Sequence, residues 1–241
     1  MKLNTTPSLT LWLVRHGESE QNSRMLGGPG DDWPDHAVPL TERGAWQAAG
    51  AAEALSCELD ECDALDPNKT VCYVSPYLRA QRTADAFAKR MRWLRIYTDD
   101  MLAEQDFGLF DGLLKPEIQE KYPNEYAAFQ RSRKCHGKFF AKRPNGESPL
   151  DVEVRQRLFL KNLEDYMKNH PMTRHVIVVG HGAQLTVLRK TVLGESHVWY
   201  EKQPNPGNAS IQKLTMNGKD GPVDRGYAYG GPGKNEADGD G

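Results

Sequence analysis

Leu9-Thr10-Leu11-Trp12-Leu13-Val14-Arg15-His16-Gly17-Glu18-Ser19 is an apolar run that stops abruptly on a cation, an imidazole and a glycine. Residues 9–14 read as a buried strand. Arg15 and His16 therefore stand together at its end, and Gly17 lets the chain turn close to an anion with no side chain in the way. A neutral imidazole is a competent nucleophile toward phosphorus, and a neighbouring guanidinium binds phosphoryl oxygens through paired donors. A strand-to-loop turn whose histidine merely caps the surface has the same local sequence; residues further along separate the two.

Asn22 follows at a distance that returns its amide to the same place. In Ser75-Pro76-Tyr77-Leu78-Arg79-Ala80-Gln81-Arg82-Thr83-Ala84 a strand ends and a helix begins, with Arg79 in the first helical turn. A phosphate there would also meet unpaired N-terminal amides. A β-branched run at 176–179 ends in Gly180-His181-Gly182-Ala183, so a second histidine emerges at a strand end, and Glu104 lies in a loop after the strand 94–97. His16, His181, Arg15, Arg79, Glu104 and Asn22 all fall at strand mouths, where open α/β sheets bind ligands.

The rest of the chain alternates strands and helices. Strands are predicted at 9–14, 71–74, 94–97, 175–179 and 209–214, and helices at 41–55, 78–90, 151–169 and 183–193, the third apolar at Val154, Leu158, Leu160, Leu163, Tyr166 and Met167. This predicts an α/β fold: a three-layer α/β/α sandwich around a mostly parallel sheet. The loop 23–39, rich in Gly, Pro and Asp, is long enough to be a pocket wall. Residues 105–148 form a less regular insert with short helices at 115–122 and 124–133, and one domain spans 1–216. From Asn217 the chain is Gly-rich and polar, which predicts a flexible tail over 217–241 that Tyr227 and Tyr229 could tether in part.

The chain has 241 residues and a net charge of −2, with its cations spread along it, which argues against nucleic-acid partners. The densest basic run, Arg131 to Lys138 with Lys142 and Arg143, is either a solvated helix face or an attractor for anionic substrate. Cys57, Cys62, Cys72 and Cys135 have neither CxxC nor zinc-ligand spacing, as expected of thiols in a reducing compartment. The apolar stretch near the amino terminus is too short for a signal or membrane helix, so a cytoplasmic location and no membrane partner are expected.

At Arg15-His16-Gly17-Glu18-Ser19 with Asn22, Pro39-Leu40-Thr41-Glu42-Arg43-Gly44 with Gln47-Ala48, residues 75–84, Glu104 with Phe107-Gly108, Gly146-Glu147-Ser148 and Gly180-His181-Gly182, the chain resembles the histidine phosphatase superfamily, also called phosphoglycerate mutase-like. The resemblance covers residues 9–215. His181 is followed by Gly182 and not by an acid, as in the branch whose proton donor lies mid-sequence, and Glu104 fills that slot. From Phe107-Gly108 through Arg133, His136-Gly137-Lys138-Phe139-Phe140, Arg143-Pro144 and Gly146-Glu147-Ser148, the chain is similar to broad-range acid phosphatases of fungi and bacteria.

The resemblance implies a catalytic set of His16, Glu104, His181, Arg15 and Arg79, and substrate contacts from Ser19, Asn22, Gly182, Ala183, Arg133 and Arg143. On that resemblance His16 would attack phosphorus in line, Glu104 would protonate the leaving oxygen, and water would hydrolyse the phosphohistidine. A small phosphorylated substrate is expected, and no metal or other cofactor. A phosphoglycerate mutase would use the same histidine but usually carries Glu-Arg and Tyr-Gly around its glutamate, where this chain has Glu104-Gln105-Asp106-Phe107-Gly108. A catalytically silent phospho-ligand module would have lost a clamp residue, and all six are present. Asp111 and Arg82 depart from common family residues and bear on substrate preference.

Overall fold

The computed structural model describes residues 8–25, 33–217 and 221–233. Strands β1 (Leu9–Arg15), β2 (Thr70–Val74), β3 (Arg95–Thr98), β4 (His175–Gly180), β5 (Ile211–Asn217) and β6 (Gly221–Tyr229) form one sheet in the order β3-β2-β4-β1-β5-β6. The first four are mutually parallel, while β5 and β6 run antiparallel at one edge.

Side-chain alternation explains the layering. Trp12, Val14, Ile177 and Val179 point to the face covered by helices α2 (Glu42–Glu61) and α3 (Leu78–Arg90). Leu9, Leu11, Leu13, Val176 and Val178 point to the face covered by α6 (Pro149–Asn169) and α7 (Gly182–Leu193). A strand buried on both sides needs the continuous apolar run that β1 and β4 carry. α2 begins where Thr41 Oγ1 accepts from Gly44 N at 2.9 Å, the N-cap expected there.

The smaller helices are α1 (Glu20–Met25), α4 (Lys115–Lys121), α5 (Pro123–His136) and α8 (His197–Glu201). α4 and α5 bring Ile118, Tyr122, Tyr126 and Phe129 around Phe110, giving the insert a small core of its own. Among the described residues no helix is long and apolar enough to cross a membrane.

Two sequence expectations are corrected. On α6, Val154 and Leu158 are more than half exposed; the buried stripe is Val152, Gln156, Phe159, Leu160 and Leu163, the spacing that faces the sheet. The expected tail is β6 over residues 221–229, while 218–220 and 234–241 lie outside the described residues. Pairing with β5 supplies backbone partners that the Gly-rich composition does not advertise. Ala228 and Tyr229 pack on the core, and Arg189 donates to Asp224 Oδ2 at 2.7 Å.

Candidate active site

Sheet register assembles the site. Arg15 pairs with Gly180 across β1 and β4, and His16 N donates to Gly180 O at 3.0 Å, so the residues that follow each strand, His16 and His181, become neighbours. Their ring centroids lie 5.1 Å apart. β2 ends on the same rim, where Ser75 N donates to Val179 O at 3.0 Å. Arg15, His16, Arg79 and His181 are all at most 4% exposed.

Hydrogen bonding fixes the tautomer of His16 and anchors the ring of His181. His16 Nδ1 lies 2.6 Å from Gly17 O, a carbonyl that can only accept, so Nδ1 carries the proton and Nε2 keeps its lone pair. Burial, then Arg79 and Arg15, hold the His16 pKa well below the ordinary imidazole value, so the ring is neutral. His181 Nε2 lies 2.7 Å from Ser75 Oγ, which also accepts from Tyr77 N at 3.3 Å. His181 Nδ1 is a buried nitrogen with no hydrogen-bond partner among the described residues. Burial, Arg79 and His16 keep His181 neutral as well. Two neutral imidazoles thus stand side by side, and His16 keeps its lone pair on Nε2.

Glu104 is the acid facing them. Its Oε1 accepts from Gln105 N and Gln184 N, each at 2.9 Å, and its Oε2 from Ala183 N at 3.4 Å, so the carboxyl sits on the N-terminal amides of α7. Burial raises its pKa, outweighing those amides and the charges of Arg79 and Arg15, and favours the protonated form. Of the two residues expected to contact substrate, Ala183 donates its N–H to Glu104 and Gly182 lies beside Asn205.

The guanidinium groups are anchored at the pocket wall. Arg79 Nη1 donates to Asp35 O at 2.5 Å and pairs with Asp35 Oδ1 at 2.9 Å, and its Cζ lies 4.9 Å from the Tyr77 ring centroid. Within the loop expected to form that wall, Asp35–Ala37 makes a 3-10 turn, and 26–32 lie outside the described residues. Arg15 Nη1 donates to Pro206 O at 2.8 Å. Asn22 Oδ1 accepts from Ser19 Oγ at 3.1 Å and from Asn208 Nδ2 at 2.9 Å, so the amide nitrogen of Asn22 is what it can offer an anion. Ser19 accordingly orients Asn22.

The glycine at 17 also has a packing reason. A Cβ there would meet Gly44 O at 2.2 Å, so it allows the turn after β1 to approach α2. Arg143 stacks 4.3 Å over Phe107, next to the Glu104 loop. Arg133 lines a separate cavity of about 410 Å³ with Lys115, Lys134, Lys138 and Glu201, whose walls include none of the six clamp residues. Sequence reasoning missed Asp35, Asn208 and Arg155, none of which has a local signal. Arg155 donates to Glu104 O at 3.0 Å from the middle of an ordinary amphipathic helix. No group of three His, Cys, Asp or Glu side chains among the described residues is disposed to hold a metal ion.

The chain matches the family description Histidine phosphatase superfamily (branch 1) over residues 11–226, and it belongs to that family. It is 30% identical over 213 residues to phosphoglycerate mutase-like protein AT74 of Arabidopsis thaliana, covering 85% of this chain and 64% of that one, so it spans under two thirds of that relative. Phosphoserine phosphatase 1 of Hydrogenobacter thermophilus is 32% identical, with 76% of each chain covered. A 2,3-bisphosphoglycerate-dependent phosphoglycerate mutase of Bartonella bacilliformis is 29% identical, with 78% of this chain and 82% of the mutase covered. Among solved structures, a putative alpha-ribazole-5'-P phosphatase from Escherichia coli superposes with a TM-score of 0.71 at 22% identity, over 93% of this chain and 98% of that one, which supports the fold.

Proposed function

We propose that this protein is a metal-independent phosphate monoester hydrolase of the broad-range acid phosphatase kind, working through a phosphohistidine on His16 with Glu104 as general acid and base. One observation carries the reading: a neutral His16, with its proton held on Nδ1 by Gly17 O, and a half-buried carboxyl whose pKa is raised both lie under the charges of Arg79 and Arg15.

His16 Nε2 forms a bond to phosphorus as the ester P–O bond breaks, and the Glu104 proton passes to the departing oxygen. Arg15, Arg79, His181 and the amide of Asn22 hold the equatorial oxygens, where fixed donors stabilise the developing charge most. Water then attacks phosphorus, the Glu104 carboxylate takes its proton, and the P–N bond breaks to release phosphate.

Arg143 beside Phe107 supports a small substrate carrying a second anionic group. The named activities of the phosphoserine and alpha-ribazole phosphatases fall in the same class of phosphorylated metabolite. Four free cysteines fit a reducing, cytoplasmic setting. The relative named as a mutase favours a second reading, in which His16 returns its phosphoryl group to the product. Against it stands the Gln105-Asp106-Phe107-Gly108 sequence after Glu104.

The test is turnover of phosphorylated metabolites by wild type and His16→Ala, with and without 2,3-bisphosphoglycerate. Phosphate release independent of the bisphosphate is expected. Brief incubation of the wild type should trap an acid-labile, base-stable phosphoprotein that His16→Ala cannot form. Substantial turnover by the variant would remove the covalent mechanism.

A further inference from the structure

Residues 104–107 lie outside helices and strands, so no hydrogen-bond ladder holds the catalytic carboxyl in place. The loop is instead gripped by one ion pair. Arg155 on α6 spends all five guanidinium donors there: Nη1 on Met101 O and Ala103 O at 2.7 Å each, Nη2 on Glu104 O at 3.0 Å and Glu147 Oε2 at 3.1 Å, and Nε on Glu147 Oε1 at 3.1 Å. Glu147 works on the next residues. Its Oε2 accepts from Asp106 N at 3.0 Å, its backbone N donates to Asp106 O at 2.8 Å, and its O accepts from Gln105 Nε2 at 2.8 Å.

Resting on the phosphohistidine reading, we propose that Arg155 and Glu147 together are the positioning residues of the general acid: Arg155 fixes the Glu104 main chain while Glu147 cancels its charge. Both halves follow from geometry. A planar fork with five donors fixes both position and orientation, which a flexible ammonium cannot. An unpaired cation at that spot would favour the ionised form of Glu104 and spoil it as an acid. With Arg155 paired, the charged or titratable groups that interact with Glu104 are Arg79 from α3, Arg15 from β1 and Tyr77. Of the charges, Arg79 and Arg15 act most on its ionisation, and burial prevails over them.

The experiment compares kcat/KM on an alkyl phosphate and an aryl phosphate for wild type, Arg155→Lys and Glu147→Gln, with thermal unfolding and His16 phosphorylation measured alongside. Arg155→Lys keeps the charge and loses the fork. It should lose on the order of 10- to 100-fold on the alkyl ester, the scale of a displaced catalytic group, and clearly less on the aryl ester, whose leaving group needs no proton. Glu147→Gln leaves Arg155 uncompensated and should move the alkaline limb of kcat/KM to lower pH. Equal losses on both esters together with an unmoved alkaline limb would mean a merely structural pair and overturn the inference, leaving the phosphatase reading intact. Absence of phosphohistidine in the wild type would overturn the reading and the inference with it.

Discussion

Replacing Glu104 by Gln keeps the outline of the side chain and removes its transferable proton, so it separates folding from chemistry. Gln105 N and Gln184 N both donate to Oε1 at 2.9 Å, and a Gln carbonyl can accept both. Ala183 N faces Oε2 at 3.4 Å, where the amide NH2 of Gln would meet a donor. A contact that long is a weak hydrogen bond, so stability should change by about 1 kcal/mol or less. The chemical loss is larger: general acid catalysis contributes roughly 10²- to 10⁴-fold, equivalent to about 2.7 to 5.4 kcal/mol of barrier. An alkyl phosphate should lose that much in kcat/KM, which reports the step up to phosphoryl transfer. p-Nitrophenyl phosphate, whose phenolate departs unprotonated, should lose under about tenfold, the remainder of that acid contribution. Circular dichroism and a thermal melt would verify the fold. Equal losses on both substrates would refute Glu104 as the proton donor and turn attention to Asp106 in the same loop.

The pH profile of kcat/KM should be bell-shaped. His16 must be deprotonated and its pKa is lowered, so the acid limb falls below the ordinary imidazole range; Glu104 must be protonated and its pKa is raised, so activity is lost as pH climbs past that value. An acid limb near 6.5 or an alkaline limb near 4.5, the unshifted values, would contradict the two burial effects. Arg133→Ala with Arg143→Ala should raise KM for bisphosphates or phosphorylated acids, change p-nitrophenyl phosphate much less, and lose its effect at high salt; an undiminished preference in that double variant would sink electrostatic steering. Glu153→Ala should destabilise by about 3 to 5 kcal/mol, because it strands the buried Lys190 ammonium now 2.9 Å from Glu153 Oε2; a denaturation midpoint within error of wild type would exclude that.

Strand ends and the residues that meet at them were legible in sequence because their signals are local. The runs 9–14 and 176–179 are continuous apolar stretches cut by Arg15-His16-Gly17 and Gly180-His181-Gly182, and a chain that stops being apolar so sharply marks a sheet's rim wherever it lies. Thr41 read as a cap and acts as one. What tertiary structure decided is everything that depends on partners distant in sequence. Only the Arg15–Gly180 register brings the two histidines within 5.1 Å. β6 is Gly-rich and polar by itself and exists because β5 offers an edge and Arg189 an ion pair to Asp224. Gly17 is small because Gly44 approaches it across the fold, and Val154 and Leu158 face outward because the sheet takes the opposite stripe of α6. Arg155 carries no sequence mark at all, since a helix shows its cations alike until folding places a loop against one of them.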